Sequence, residues 1–96
     1  MKIQKLLKTK RNWIKFRMGA DKYGRYANPV GVSAAKWCLI GAIYKCYGID
    51  DVRTTRIIKK VRKELNMRGG DGIDDWNDDP NRTFKDVRAL VRKLNI

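Results

Sequence analysis

The stretch "AAKWCLIGAIYKCYG", residues 34 to 48, constrains the fold most, because it is apolar on nearly every side. A helix of this kind must be covered by other elements, so the stretch predicts a central core helix. Ser33 can cap its start, and Gly48 suits the left-handed conformation at its end. At 96 residues the chain can build one modest core, which predicts a single domain over residues 1–96.

Two segments with helical spacing predict helices that pack on this core. Between Lys2 and about Arg11, the apolar residues Ile3, Leu6 and Leu7 have near-helical spacing and lysines occupy the other face. This pattern is typical of a short amphipathic helix. A longer helix can begin after a cap at Asp50 or Asp51 and end before "NMRGGDG". Its apolar stripe consists of Ile57, Ile58, Val61 and Leu65.

A last helix is predicted from Thr83 onward. The "TFKD" sequence from Thr83 to Asp86 resembles a capping box in which Asp replaces Glu. The residues that follow keep helical spacing of apolar side chains.

The segment between the first two helices has a different period. Ile14, Phe16 and Met18 alternate with cations, and "DKYG" then supplies turn residues, which predicts a β-hairpin. The expected fold is therefore mainly α, of the α+β kind: a compact bundle of about four helices with a small hairpin between the first and second.

The absence of histidine and the presence of only two cysteines exclude most familiar enzyme classes. The chain contains no His, so Ser-His and Cys-His nucleophiles are excluded. Cys38 and Cys46 would lie about 12 Å apart on a helix that rises ~1.5 Å per residue, which is too far for a disulfide. Two cysteines also cannot complete a zinc site. We predict no cofactor, no metal and no enzymatic activity.

Five of the ten acidic residues lie between Asp71 and Asp79. A calcium loop starting at Asp75 would need glycine at its sixth position, where Pro80 stands, so calcium binding is not favoured. The preferred interpretation is structural. Trp76 packs on the core, Asn77 and Asp78 bind exposed backbone groups, and the chain turns into the last helix.

A sharper alternative is that Asp21, Cys38, Asn77 and Asp78 converge as a polar pocket, since carboxylates near a thiol can mark an active site. Cys38 lies in an apolar segment, where a free cysteine usually behaves as a small hydrophobic residue. We therefore do not predict that it is a nucleophile.

Three pieces of sequence carry a resemblance: Trp13 followed by "GADKYG", then "AAKWCLIGA", then "WNDDPNRTFKDV". Taken in this order they resemble an uncharacterised domain family of small bacterial and phage-borne proteins. The resemblance implies a shared compact fold whose signature is the Trp37-Cys38 helix and the Trp76-Asn77-Asp78 turn. It implies no activity.

The charge distribution is the main functional signal. The formal net charge is +13, and the first 20 residues contain no acid. An ideal helix after Asp51 would place four cations within an arc of roughly 80°. The predicted nucleic-acid-binding residues in these two basic segments are Lys5, Lys8, Arg11, Arg53, Arg56, Lys60 and Lys63. Such surfaces neutralise backbone phosphates and give salt-sensitive binding.

The predicted partner is DNA, RNA or a nucleoprotein assembly. A variant helix-turn-helix around Gly48 is one form of this reading, although Tyr44 is large for the crossing of such helices. Stacking of unpaired bases on Trp13, Tyr23 or Tyr26 is another. The competing hypothesis is a phage-type effector or inhibitor that binds an acidic host protein; an enzyme ranks third.

The start of the chain is rich in lysine and has no hydrophobic signal core, and no apolar run approaches ~20 residues. We therefore expect the cytoplasm, which is that of the host if a phage encodes the protein, and no membrane partner.

Overall fold

The computed structural model describes all 96 residues as a mainly helical α+β structure with five helices and a two-stranded antiparallel sheet. The helices are α1 (Ile3–Leu6), α2 (Leu39–Tyr47), α3 (Val52–Glu64), α4 (Ile73–Asp78) and α5 (Phe84–Leu94); the strands are β1 (Gly19–Ala20) and β2 (Lys36–Trp37). None of the five helices combines the length and hydrophobicity that a membrane span requires.

Helix α2 is the core helix, with Leu39 and Ile43 fully buried. Its predicted start at Ser33 is wrong, because the N-cap is Cys38, whose Sγ accepts a hydrogen bond from the Gly41 N–H at 3.4 Å. The preceding residues are extended and form β2. Their backbone groups pair with β1, and this pairing replaces the helical turns that the apolar composition favoured.

The sheet lies between the first two helices as predicted, but it is not the predicted hairpin. A tight turn does follow β1, where the Gly24 N–H donates to the carbonyl of Asp21. The main partner of β1 is β2, with Gly19 opposite Trp37, and only an isolated bridge joins Ala20 to Tyr26. Residues 14–18 form no strand: the Ile14 N–H donates to the Trp37 carbonyl of β2, but the Ile14 carbonyl and the Phe16 N–H bind α4.

Helices α3 and α5 match their predicted caps and stripes. The Asp51 side chain caps α3 by accepting from the Arg53 N–H at 2.8 Å. At the start of α5, Thr83 and Asp86 form the reciprocal capping box. Val61 of α3 and the inward side chains of α5 are buried in one core cluster.

Two further boundaries differ from the prediction. The first helix ends at Leu6, and a short 3-10 turn at Lys10–Asn12 follows it. The acidic stretch forms α4, where a turn was predicted, so the chain has five helices instead of four. Ile73 and Asn77, four residues apart, place both of their side chains on the buried face of this short helix.

Candidate functional site

The side chain of Asn77, on the inner face of α4, is a fully buried amide. Its Oδ1 accepts hydrogen bonds from the indole Nε1–H of Trp13 at 2.7 Å and from the Leu39 N–H at 3.0 Å. Its Nδ2 donates to the Ile14 carbonyl at 3.2 Å and to Asp78 Oδ1 at 2.9 Å. The amide therefore fixes the start of α2 and the path of the chain at residues 13 and 14.

The neighbours of Asn77 extend this junction along residues 13–16. Asp78 Oδ1 accepts from the Phe16 N–H at 2.8 Å, and Lys15 Nζ donates to the carbonyl of Asp79 at 2.7 Å. Phe16 adopts a φ of 69°, and its side chain is 76% exposed. We call segment 13–16 and residues 77–79 together the Asn77 junction. Its geometry gives Asn77 and Asp78 structural roles.

The thiol of Cys38 lies beside this junction, in a cavity of about 100 Å³ that Asp74 and Asp78 also line. Burial, with the negative charges of Asp78 and Asp74 acting in the same direction, raises the pKa of the thiol to about 11. The sulfur is therefore protonated near neutral pH, the opposite of what a nucleophile requires. No group of three or more Cys, Asp or Glu side chains is placed to hold a metal ion.

Asp21 does not join Cys38, Asn77 and Asp78. Its Oδ1 accepts from the backbone N–H groups of Tyr23 and Arg25, and its Oδ2 pairs with the Arg25 guanidinium at 3.2 Å. Partial desolvation opposes ionisation, but these hydrogen bonds hold the pKa of Asp21 below its usual value. The side chain thus stabilises the turn after β1, and the four-residue pocket is not formed.

The two tryptophans of the signature have separate positions. Trp37 is buried in β2, and its Nε1–H donates to the Pro29 carbonyl at 2.8 Å. Trp76 packs against the core from α4, and the guanidinium of Arg82 stacks on its ring at 4.0 Å.

The predicted cations of α3 are exposed, but they are not equivalent. Arg53 is paired with Asp51 at 2.9 Å, and Lys60 Nζ donates to the Leu94 carbonyl at the end of α5. Arg56 and Lys63 make no side-chain hydrogen bond or ion pair within the protein, so both are free to bind a partner.

The N-terminal basic segment is also exposed at Lys5, Lys8 and Arg11. Lys2 Nζ donates to the Asn95 carbonyl at 2.7 Å, next to the carbonyl that binds Lys60. The end of α5 therefore lies between the beginning of the N-terminal segment and α3.

A further cationic site was not predicted from the sequence. Lys10, Lys15, Arg82 and Lys85 line an open cavity of about 530 Å³ together with the rings of Trp13 and Phe84. We call this cavity the basic groove. A local signal was present, because Trp13 has three cations and Phe84 has two within three positions of it in the chain. The residues around Trp13 and those around Phe84 come together through the Asn77 junction. The local sequence pattern does not reveal this long-range contact.

Comparison with family models gives a match over nearly the whole chain. The model of a family of unknown function, DUF6197, matches residues 2–94. No curated protein and no solved structure matches the chain. Because the match covers nearly the whole chain, the predicted membership of an uncharacterised family is confirmed, and the protein belongs to the family of unknown function DUF6197.

Proposed function

We propose that this protein is a small basic binding module whose partner is nucleic acid or a nucleoprotein assembly. One observation carries the proposal: of the 23 Lys and Arg side chains, only those of Arg25, Arg53 and Lys93 pair with a carboxylate. Seven of the other cations donate to backbone carbonyls, and the rest remain available to a polyanion, which they would bind by releasing its counterions.

The acidic side chains support this reading through the contacts that they make. Asp51 and Asp86 cap α3 and α5, while Asp71 and Asp79 accept backbone N–H groups in turns. These carboxylates stabilise local backbone structure, and of the four only Asp51 also pairs with an exposed cation, Arg53. A field of one sign over a small surface steers association with oppositely charged partners.

On α3, the proposed contacts fall mainly on Arg56 and Lys63. Arg53 and Lys60 already have partners inside the protein, so a phosphate would have to compete for them. Lys5, Lys8 and Arg11 of the N-terminal segment are exposed and complete the proposed set.

The test is a salt titration of affinity for mixed-sequence duplex DNA, single-stranded DNA and structured RNA, with nuclease-treated protein. We expect affinity to fall steeply with salt, with a log-log slope that reports several released counterions. Weak binding that is equal for all three and insensitive to salt would contradict the proposal. Selective capture of one acidic protein under the same conditions would then identify a protein-binding module instead.

A further inference from the structure

We infer that the basic groove binds an unpaired nucleic-acid strand, with bases against Trp13 and Phe84 and phosphates at the surrounding cations. This inference rests on the proposed function and names the substrate class and the site. The groove combines cations with aromatic rings, whereas α3 contains no aromatic residue. Proteins that bind single strands need both, because rings stack on the bases while cations neutralise the backbone.

The aromatic surface of the groove is fixed before a ligand arrives. The ring centroids of Trp13 and Phe84 are 6.3 Å apart, with an interplanar angle of 41°. The hydrogen bond from the Trp13 indole to Asn77 fixes the orientation of that ring. Both rings are partly buried against the core, so little side-chain freedom remains to be lost on binding.

The cations of the groove have capacity left for phosphate. Lys10 and Lys85 are exposed and make no side-chain contact with a carboxylate. Arg82 uses its Nε–H to bind the Trp76 carbonyl at 2.9 Å, and its two Nη groups have no acceptor within the protein. Lys15 Nζ is already bound to the Asp79 carbonyl. It lies 5.6 Å from the Trp13 ring centroid, so its charge is close to the aromatic surface of the groove.

The basic groove has a volume and a lining that suit a nucleic-acid strand. Its volume of about 530 Å³ lies in the range of roughly 300–1,000 Å³ that is typical of ligand sites. No carboxylate lines it. An adjoining cavity of about 390 Å³ on α5 shares Phe84 and Lys85 and also lacks a carboxylate, but it offers only one aromatic residue. A neighbouring cavity of about 350 Å³, beside α4, is lined by Asp71, Asp75 and Asp79 and would repel a phosphate.

The experiment compares two double variants that remove the same charge. Lys10→Gln with Lys85→Gln alters the groove, and Arg56→Gln with Lys63→Gln alters α3. Affinity is measured for a labelled ten-nucleotide single strand and for the matching duplex over a range of salt concentrations. We expect the groove variant to lower single-strand affinity about tenfold and the salt slope by about 1.4, or ~0.7 for each lost phosphate contact, and the α3 variant to change both less.

A third variant, Phe84→Leu, tests stacking. Leucine keeps an apolar side chain at the start of α5 but removes the ring, so we expect about a tenfold loss of single-strand affinity with an unchanged salt slope. A thermal melt of each variant establishes that the fold is intact.

Four outcomes would overturn the inference. An α3 variant that weakens single-strand binding as much as the groove variant would place the site elsewhere and leave the proposed function standing. Full affinity in Phe84→Leu, or equally tight binding of a polyglutamate peptide, would exclude base stacking as the basis of recognition. Failure of the unmodified protein to bind either nucleic acid would overturn the proposed function as well.

Discussion

The Asn77 junction and helix α3 use their polar side chains in opposite ways. At the junction, residues 13–16 and 77–79 bind one another, and the central amide uses both its acceptor and its donor groups. On α3, Arg56 and Lys63 extend from the surface without a partner. The junction therefore stabilises the fold, and α3 presents charge that other molecules can bind.

Solvent exposure explains why these two regions should respond differently to substitution. A buried donor or acceptor that loses its partner keeps the full cost of desolvation, about 1–3 kcal/mol for each group. An exposed cation is solvated by water whether or not a ligand is present, so its removal costs little stability. Three substitutions, in order of decreasing effect on stability, test this contrast.

Replacement of Asn77 by alanine should have the largest effect. It leaves the Trp13 indole N–H, the Leu39 N–H and the Ile14 carbonyl without their partner, so we expect the free energy of unfolding to fall by roughly 3–5 kcal/mol. Denaturant unfolding measures this change. Asn81→Ala, at an exposed position four residues further along the chain, is the control and should change stability by less than about 0.5 kcal/mol. An equal loss of stability in Asn77→Ala and Asn81→Ala would contradict the distinction between the Asn77 junction and the exposed surface.

Asp51→Asn should produce a smaller change that depends on pH. Hydrogen bonds and the charge of Arg53 hold the pKa of Asp51 below its usual value in the folded state. A depressed carboxyl pKa contributes stability above the unfolded pKa, and that contribution is lost as pH falls through the folded pKa. We expect the variant, which keeps a capping acceptor, to melt below the native protein at pH 6 and to match it near pH 2. A difference that widens on acidification would contradict this sign.

The smallest effect on stability is expected for Arg56→Gln with Lys63→Gln. Both side chains are exposed and unpaired, so the free energy of unfolding should change by less than about 0.5 kcal/mol. The midpoint of denaturant unfolding measures it. A larger loss would mean that α3 depends on these cations for its own stability and would remove the distinction between the two regions.

The elements predicted well from sequence are those that depend on local signals. The caps at Asp51 and Thr83 and the apolar stripes of α3 and α5 arise from contacts within a few residues, and the structure confirms them. The start of α2 was mispredicted because residues 34–37 suit a buried helix or a buried strand equally, and pairing with β1 decides between them.

Less of the candidate site could be predicted from the sequence. Structural roles were predicted for Asn77 and Asp78, and the hydrogen bonds agree with them. Their partners on segment 13–16 lie 62 to 64 residues away in the chain and leave no periodic signal. The alternation of Ile14, Phe16 and Met18 with cations predicted a strand. In the structure this part of the chain makes only an isolated bridge with β2, between Trp13 and Trp37, and the other polar groups of segment 13–16 bind residues 77–79.

The sequence distance spanned by the Asn77 junction also affects how the chain folds. Helices α3 and α5 need only local contacts and can form quickly. Bringing Trp13 to Asn77 closes a loop of 64 residues, at an entropic cost of roughly 4 kcal/mol that grows with the logarithm of loop length. The junction repays that cost only once α2 and α4 are already packed together. We therefore expect its formation to be a late step that couples the two halves of the chain into one cooperative unit, and we expect the buried Leu39 amide to exchange with solvent only when the whole domain opens.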